Sequence, residues 1–200
     1  MQKQTLLLCV MVSWCVLGCP AQATVTVDQE QNIYSGDISI SAASGFEKVG
    51  QLFTAGLTGA LNQIDMGFGG RIDGDGAVYI FEGQGDEGTL LESVTVKIQS
   101  QLSGAVNYNS FVVDVPIEKG EQYTFYFEPN PLTMPDPYSL CAAWPDPYTA
   151  GLMVSVENGD SVIYTYRDLV FRTWVNPIPE PGTVLLLGFG GLCLLRKPRR

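Results

Sequence analysis

Several short segments of this chain alternate strictly between apolar and polar residues, and glycine-rich turns separate them. In residues 93–99, the aliphatic residues Val94, Val96 and Ile98 occupy every second position. Residues 111–115 follow the same period of two. Side chains of a strand point alternately to its two faces, whereas a helix repeats every 3.6 residues. The pattern therefore predicts antiparallel strands that each bury one face.

The same signals recur along the middle of the chain. In residues 121–128, Tyr123, Phe125 and Phe127 are predicted to face the core, with Thr124 outside. Further strands are predicted at 24–28, 37–41, 50–55, 59–66, 76–82, 151–157, 161–166 and 168–175. No segment sustains helical periodicity, and 22 glycines with 12 prolines disfavour long helices. We predict an all-β fold for residues 24–176, an antiparallel β-sandwich of eight to ten strands.

The order of these segments also resembles a known kind of module. Residues 51–54 (QLFT), 78–81 (VYIF), 111–115 (FVVDV) and 168–172 (DLVFR) follow one another as in the jelly-roll-type β-sandwich modules of bacterial surface proteins. This resemblance implies a non-catalytic module that binds a ligand or a carbohydrate. It names no particular ligand.

The N-terminal residues 1–23 have the three parts of a secretory signal peptide. Lys3 supplies a basic start, residues 5–17 are apolar, and Ala21 and Ala23 form the small-x-small pattern that a signal peptidase accepts. The apolar run is shorter than a comfortable membrane span. We therefore expect export and cleavage after Ala23.

One alternative for this end stays open. Residues 16–19 (VLGC) loosely resemble a lipobox, which implies cleavage before Cys19 and a lipid on its thiol. Leu17 and Pro20 fit that pattern poorly.

The C-terminal residues 177–200 have three parts in a fixed order. A Pro-Glu-Pro tripeptide comes first, then the apolar stretch 182–195, then a basic tail at 196–200. The tripeptide is Pro179, Glu180 and Pro181, and the cations of the tail are Arg196, Lys197, Arg199 and Arg200. This order resembles the PEP-CTERM sorting signal of Gram-negative bacteria that make extracellular polysaccharide. The resemblance implies an exosortase, an integral-membrane cysteine transpeptidase, as the processing partner.

The length of the apolar stretch and the charge that follows it agree with a temporary anchor. As a helix, residues 182–195 extend roughly 21 Å, against a hydrocarbon core of about 30 Å. The four cations resist transfer, so the tail stays in the cytoplasm and the short helix holds the chain weakly in the inner membrane. A permanent tail anchor is the alternative, but it does not account for the Pro-Glu-Pro tripeptide.

Charge is distributed unevenly along the chain. It carries 21 acidic and 11 basic residues, a net charge of −10, and five of the basic residues lie in the two terminal segments. The remaining body is strongly acidic, so it repels nucleic-acid phosphates and anionic lipids. This balance excludes nucleic acid as a partner and favours divalent cations.

Cysteines are nearly confined to the same terminal segments. Cys9, Cys15, Cys19 and Cys193 lie there, which leaves Cys141 alone in the body. An exported domain with one thiol has no internal disulfide. Cys141 is therefore expected to be a small buried residue, with pairing between molecules as the alternative.

The sequence lacks most of the residue combinations on which common catalytic mechanisms depend. The chain has no histidine, which removes Ser-His-Asp and Cys-His catalysis and the usual zinc sites. Two carboxylates suffice for glycoside hydrolysis, but nothing in the sequence selects a pair. We expect a protein that is not an enzyme, with a small glycoside hydrolase or lyase as the remaining alternative.

Asp73 and Asp75 are the candidates for a metal site. They are separated by a glycine, which lets both carboxylates approach one hard cation such as Ca²⁺. The bidentate glutamate of an EF-hand loop is missing downstream. The competing interpretation is a polar hairpin turn, in which aspartate and glycine adopt the required backbone angles.

Residues 129–148 form a proline-rich segment that also contains tyrosine and tryptophan residues. Its prolines are expected to stiffen it as a loop and prevent regular strand pairing. Tyr138, Trp144 and Tyr148 offer flat apolar faces of the kind on which sugar rings stack. The competing interpretation is that these aromatics close one end of the sandwich as part of its core.

Taken together, these features predict an exported, non-enzymatic protein of the cell surface or extracellular matrix. It is held briefly in the inner membrane, processed by an exosortase, and associated with exopolysaccharide. Carbohydrate binding through the segment 129–148 is the alternative function. No cofactor is expected other than the calcium considered above.

Overall fold

A computed structural model describes residues 24–41, 43, 45–100, 106–134, 137–145 and 147–178. These residues contain thirteen strands and no α-helix. The strands are β1 Thr26–Gln31, β2 Gly36–Ile40, β3 Phe46–Thr54, β4 Gly59–Gly69, β5 Ile72–Glu82, β6 Thr89–Ser100, β7 Asn107–Ile117, β8 Gln122–Pro129, β9 Tyr138–Ala143, β10 Gly151–Glu157, β11 Asp160–Tyr164, β12 Asp168–Leu169 and β13 Phe171–Pro177.

The strands form two antiparallel sheets. The first has the order β1-β13-β4-β9-β12, with β2 beside β9 and β7 beside β4. The second has the order β11-β10-β3-β8-β5-β6. The predicted all-β, antiparallel sandwich is confirmed.

The thirteen strands exceed the predicted eight to ten, and they exceed the eleven segments predicted above by two, for two reasons. The predicted strand 168–175 is interrupted at Val170, whose N–H donates to the carbonyl of Cys141 at 2.9 Å and whose carbonyl accepts from Gly67 at 2.8 Å. The proline-rich segment 129–148 contains β9, which pairs with β2, β4 and β12. The expectation of an irregular loop was wrong, because residues 138–143 themselves contain no proline.

The core lies between the sheets and is rich in aromatic side chains. Phe68 and Phe127 from opposite sheets meet edge to face, with ring centroids 5.3 Å apart. Val96 and Ile98 are buried and Val94 packs against the same core, as the alternation predicts. Such interlocked rings contribute beyond the area they bury.

Thr124 departs from its predicted position outside the sandwich, since it is fully buried. The turn after β5 folds over the outer face of the second sheet and covers it. The Thr124 hydroxyl accepts from the N–H of Gly85 at 2.9 Å and donates to the carbonyl of Gly83 at 2.7 Å. Both glycines have positive φ, 86° and 77° for Gly83 and Gly85, which favours glycine there.

The two ends of the described sandwich lie close together. Thr26 of β1 pairs with Val175 of β13, and the N–H of Ile178 donates to the carbonyl of Thr58 at 2.9 Å. Backbone pairing therefore continues to the residue before Pro179. The predicted signal peptide 1–23 and the apolar segment 182–195 lie outside the described residues. Within the described ranges, no helix is long and apolar enough to cross a membrane.

Candidate functional site

A groove of about 570 Å³ opens on the side of the sandwich. Three separate parts of the chain form it: strand β2, the segment after β9, and the segment after β11. Its lining residues are Asp37, Ile38, Ser39, Trp144, Pro145, Tyr166 and Arg167. Two of the aromatic side chains most exposed in the fold, Trp144 and Tyr166, are thus gathered in one concave surface.

Trp144 is held in place through its backbone. Its N–H donates to the Ser35 hydroxyl at 3.3 Å, and the same hydroxyl lies 3.2 Å from its carbonyl oxygen. The indole covers Gly36 so closely that a Cβ at that position would lie 2.7 Å from Trp144 Cη2. With 44% of its surface exposed, the indole presents an apolar face to solvent from a fixed backbone.

Tyr166 and Arg167 form the facing part of the lining. The guanidinium carbon lies 4.5 Å from the Tyr166 ring centroid and 5.2 Å from that of Tyr164. Arg167 Nη2 donates to the Tyr166 hydroxyl at 2.6 Å. Tyr164 in turn hydrogen-bonds Glu157, and burial followed by that bond raises the pKa of Tyr164. Stacking on two rings restricts the orientation of the guanidinium plane.

Asp37 supplies a carboxylate on the β2 side of the groove. Its Oδ1 accepts from the Tyr34 hydroxyl at 3.0 Å and lies 3.6 Å from Cys141 Sγ. The carboxylate sits directly over Gly69, where an added Cβ would lie 2.3 Å from Oδ1. Burial first, and then the nearby Asp37 charge, raises the pKa of Cys141 to about 12.

The three aromatics that the sequence proposed for ligand binding do not share one surface. Trp144 lines the groove, whereas Tyr138 and Tyr148 lie in the core, 4% and 7% exposed. The Tyr138 ring meets Phe127 edge to face at 5.9 Å. Tyr148 meets Phe171 in the same way at 5.1 Å. Tyr138 and Tyr148 thus belong to the core, which was the competing interpretation of these aromatics in the sequence analysis.

Tyr148 also takes part in polar contacts inside the fold. Its hydroxyl donates to Gln29 Oε1 at 2.9 Å, and its N–H donates to Asp168 Oδ2 at 3.0 Å. Burial first, followed by the charges of Asp28 and Asp168, raises the pKa of Tyr148. The side chain is therefore engaged on both its apolar and its polar parts.

Asp73 and Asp75 do not lie in a turn. Both belong to the regular part of β5, where Asp73 pairs with Gln99 and Asp75 with Lys97 of β6. The expectation of a loop or hairpin turn was wrong, because β5 begins at Ile72 and pairs with β6 along its whole length. Across the described ranges, no three His, Cys, Asp or Glu side chains are grouped in a way that could hold a metal.

Tyr166, Arg167 and Asp37 are groove residues that sequence reasoning missed. A tyrosine that ends a predicted strand, followed directly by an arginine, is a readable signal, but the pairing that brings them to Trp144 is not. The sorting residues Pro179, Glu180, Pro181, Arg196, Lys197, Arg199 and Arg200 lie outside the described residues. The same holds for Ala21, Ala23 and Cys19.

Several solved structures match this chain at low identity and with TM-scores below 0.5. Two are structures of Cwp84, a surface layer associated protein of Clostridium difficile: the cysteine protease after propeptide cleavage, and its cysteine protease and lectin-like domains. Both are 15% identical over 80% of this chain, with TM-scores of 0.47 and 0.46. A third is the VP2 subviral particle of infectious bursal disease virus, 11% identical over 78% of this chain, with a TM-score of 0.23. The chain spans 41%, 37% and 35% of these three solved chains.

No curated protein matches the chain in sequence. A protein-family model does match its C-terminal end, over residues 177–200. The matched residues contain the tripeptide, the apolar stretch and the basic tail in the order that the sequence analysis singled out. This protein carries a PEP-CTERM protein-sorting motif at residues 177–200.

Proposed function

We propose that the protein is a non-enzymatic component of the cell surface or extracellular matrix that an exosortase releases from a temporary membrane anchor. The match of residues 177–200 to the sorting motif carries this proposal. Export and a transient anchor follow from such a motif. Exopolysaccharide is proposed as the material with which the released body associates.

Two features support a non-enzymatic body. Cys141 is fully buried with a raised pKa, so its thiol stays protonated and inaccessible at neutral pH. The groove lining contains one carboxylate, Asp37, whereas glycoside hydrolysis uses two. The chain also has no histidine, so the common nucleophilic triads cannot form.

Mass spectrometry of the mature protein tests the sorting proposal. In cells that carry an exosortase, the C-terminal peptide is expected to lack the basic tail from Arg196 to Arg200. In a strain without the exosortase, the tail is expected to remain. A mature protein that keeps Arg200 in the presence of the enzyme contradicts the proposal.

We also propose that the body binds carbohydrate through the groove that contains Trp144. The supporting observation is a half-exposed indole, on a backbone hydrogen-bonded to Ser35, in a concave surface that also contains a second exposed aromatic ring and polar groups of both charges. Sugar rings bind to such surfaces by stacking, while hydroxyl groups bond to the polar side chains.

Polysaccharide pull-down tests the second proposal. Wild-type protein is expected to be retained on exopolysaccharide, and Trp144→Ala is expected to reduce retention at least tenfold without unfolding the domain. Val112→Ala is the matched control, since Val112 is 74% exposed on β7 outside the groove. Equal retention of wild type and Trp144→Ala contradicts binding through the groove.

A further inference from the structure

The groove contains a cation that has no carboxylate partner within the described part of the chain. The ion pairs found there are Lys48–Asp86 and Arg172–Glu30, and neither includes Arg167. Arg167 Nε is buried and has no hydrogen-bond partner among the described residues. Acidic residues outnumber basic ones nearly two to one in the chain, yet none of those described forms an ion pair with this arginine.

The neighbours of Arg167 fix its direction without neutralising its charge. The rings of Tyr164 and Tyr166 stack against the guanidinium, and the Tyr166 hydroxyl accepts from Nη2. A guanidinium held in this way keeps donors in a planar fork that matches a carboxylate. Less side-chain entropy is lost when such a preorganised group binds an anion.

The two charged groups of the groove occupy separate walls. Asp37 lies on β2 and accepts hydrogen bonds, while Arg167 follows β11 and donates them. A sugar that bears a carboxylate can stack on Trp144, direct its acid group to Arg167 and donate hydroxyl hydrogens to Asp37. A neutral sugar leaves the charge of Arg167 unmatched.

We propose that the groove selects acidic polysaccharides, with Arg167 pairing with the carboxylate of a uronic acid residue. This inference rests on the proposed carbohydrate binding. Because the chain as a whole carries a net charge of −10, it repels polyanions at long range, so the selectivity comes from contact inside the groove.

Binding of the full-length chain to polygalacturonate and to its fully methyl-esterified form tests this proposal. The two polymers share their sugar rings and differ in the charge of the carboxyl group. Wild type is expected to bind the acid at least tenfold more tightly than the ester. Arg167→Gln is expected to lower the affinity for the acid about tenfold and to lower the affinity for the ester much less, so that the ratio of the two affinities falls.

Arg167→Lys keeps the charge but loses the planar fork, so it is expected to fall between wild type and Arg167→Gln. Circular dichroism verifies that each variant is folded. Equal affinity of wild type for the acid and the ester overturns the selectivity and leaves the carbohydrate-binding groove standing. Failure to bind either polymer overturns the selectivity, and the pull-down on exopolysaccharide then decides whether the groove binds carbohydrate. If Arg167→Gln does not fold, the affinities of wild type and of Arg167→Lys for the acid and for the ester test the selectivity instead.

Discussion

Gln51 of β3 and Asp168 of β12 join the two sheets through a hydrogen bond that is completely buried. Gln51 Nε2 donates to Asp168 Oδ1 at 2.8 Å, and Gln51 Oε1 accepts from the N–H of Leu169 at 2.9 Å. The second carboxylate oxygen accepts from the N–H of Tyr148. Each polar group in this cluster thus has a partner of opposite character, as burial requires.

Asp168→Asn is expected to destabilise the fold by about 2–4 kcal/mol although it changes neither size nor shape. The amide of asparagine offers one acceptor where two donors must be satisfied, so its NH₂ group faces either Gln51 or the N–H of Tyr148. Urea denaturation at pH 7 measures the change. Asp73→Asn, on the exposed face of β5, is the control and is expected to stay within about 0.5 kcal/mol of wild type. Equal effects of the two substitutions contradict the role of the cluster.

Gly36→Ala tests whether the position of the indole matters for binding. The added methyl group lies 2.7 Å from Trp144 Cη2, so the indole must move away from β2. Binding to polysaccharide is expected to weaken at least threefold, while the melting temperature changes little because the ring is already 44% exposed. Ser110→Ala, on the exposed face of β7, is the matched control. Unchanged affinity of Gly36→Ala counts against a fixed indole.

Cys141 is expected to resist thiol reagents in the native state. Burial and Asp37 raise its pKa from 9.0 to about 12, so its thiolate fraction at pH 8 is roughly a thousandfold lower than in an unfolded chain. Iodoacetamide labelling followed by peptide mass spectrometry distinguishes Cys141 from the cysteines of the terminal segments. Labelling in guanidinium is the positive control. Equal native and denatured rates contradict the burial of this thiol.

Stability at alkaline pH is expected to depend on Tyr126. Burial first, and then the charge of Asp86, raises the pKa of Tyr126 from 10.0 to about 12 in the folded protein. Between pH 10 and 12 the unfolded chain therefore loses a proton that the folded protein keeps, and the free energy of unfolding falls by up to about 1.4 kcal/mol per pH unit. Below pH 10 this contribution is constant.

Tyr126→Phe is expected to lessen that decline, because phenylalanine cannot ionise and still packs edge to face on Phe81. Urea denaturation at several pH values from 7 to 11 measures the slope. Val112→Ala, at an exposed side chain that has no ionisable group, is the control and is expected to keep the wild-type slope. Identical slopes for wild type and Tyr126→Phe contradict the assignment.

Alternation in the sequence was sufficient to predict the strands that bury one face. Residues 93–99 were predicted as a strand and lie within β6, where Val96 and Ile98 are buried as the alternation predicts. The prediction fails where a strand buries both faces. Leu52, Tyr126 and Val154 form part of a second apolar cluster on the outer face of the six-stranded sheet, and alternation assigns such residues to solvent. The turn at 83–88 reaches that face, where the N–H of Gly85 donates to the Thr124 hydroxyl.

The groove was predicted in part. Trp144 stood out as an aromatic residue beside proline, but Asp37 and Arg167 come from segments more than 100 residues apart. They meet because β9, which ends just before Trp144, pairs both with β2 and with β12, which begins just after Arg167. Long-range pairing of this kind has no local signature in the sequence.

Strand β13 is paired on one side with β1 and on the other with β4, and the chain leaves it at Ile178. In the proposed anchored state, a pull from the C-terminal anchor acts along the axis of β13, whereas the ladder bonds lie perpendicular to it. Such a force shears both ladders together instead of opening one bond after another. Both ladders together therefore resist mechanical drag on the body in that state.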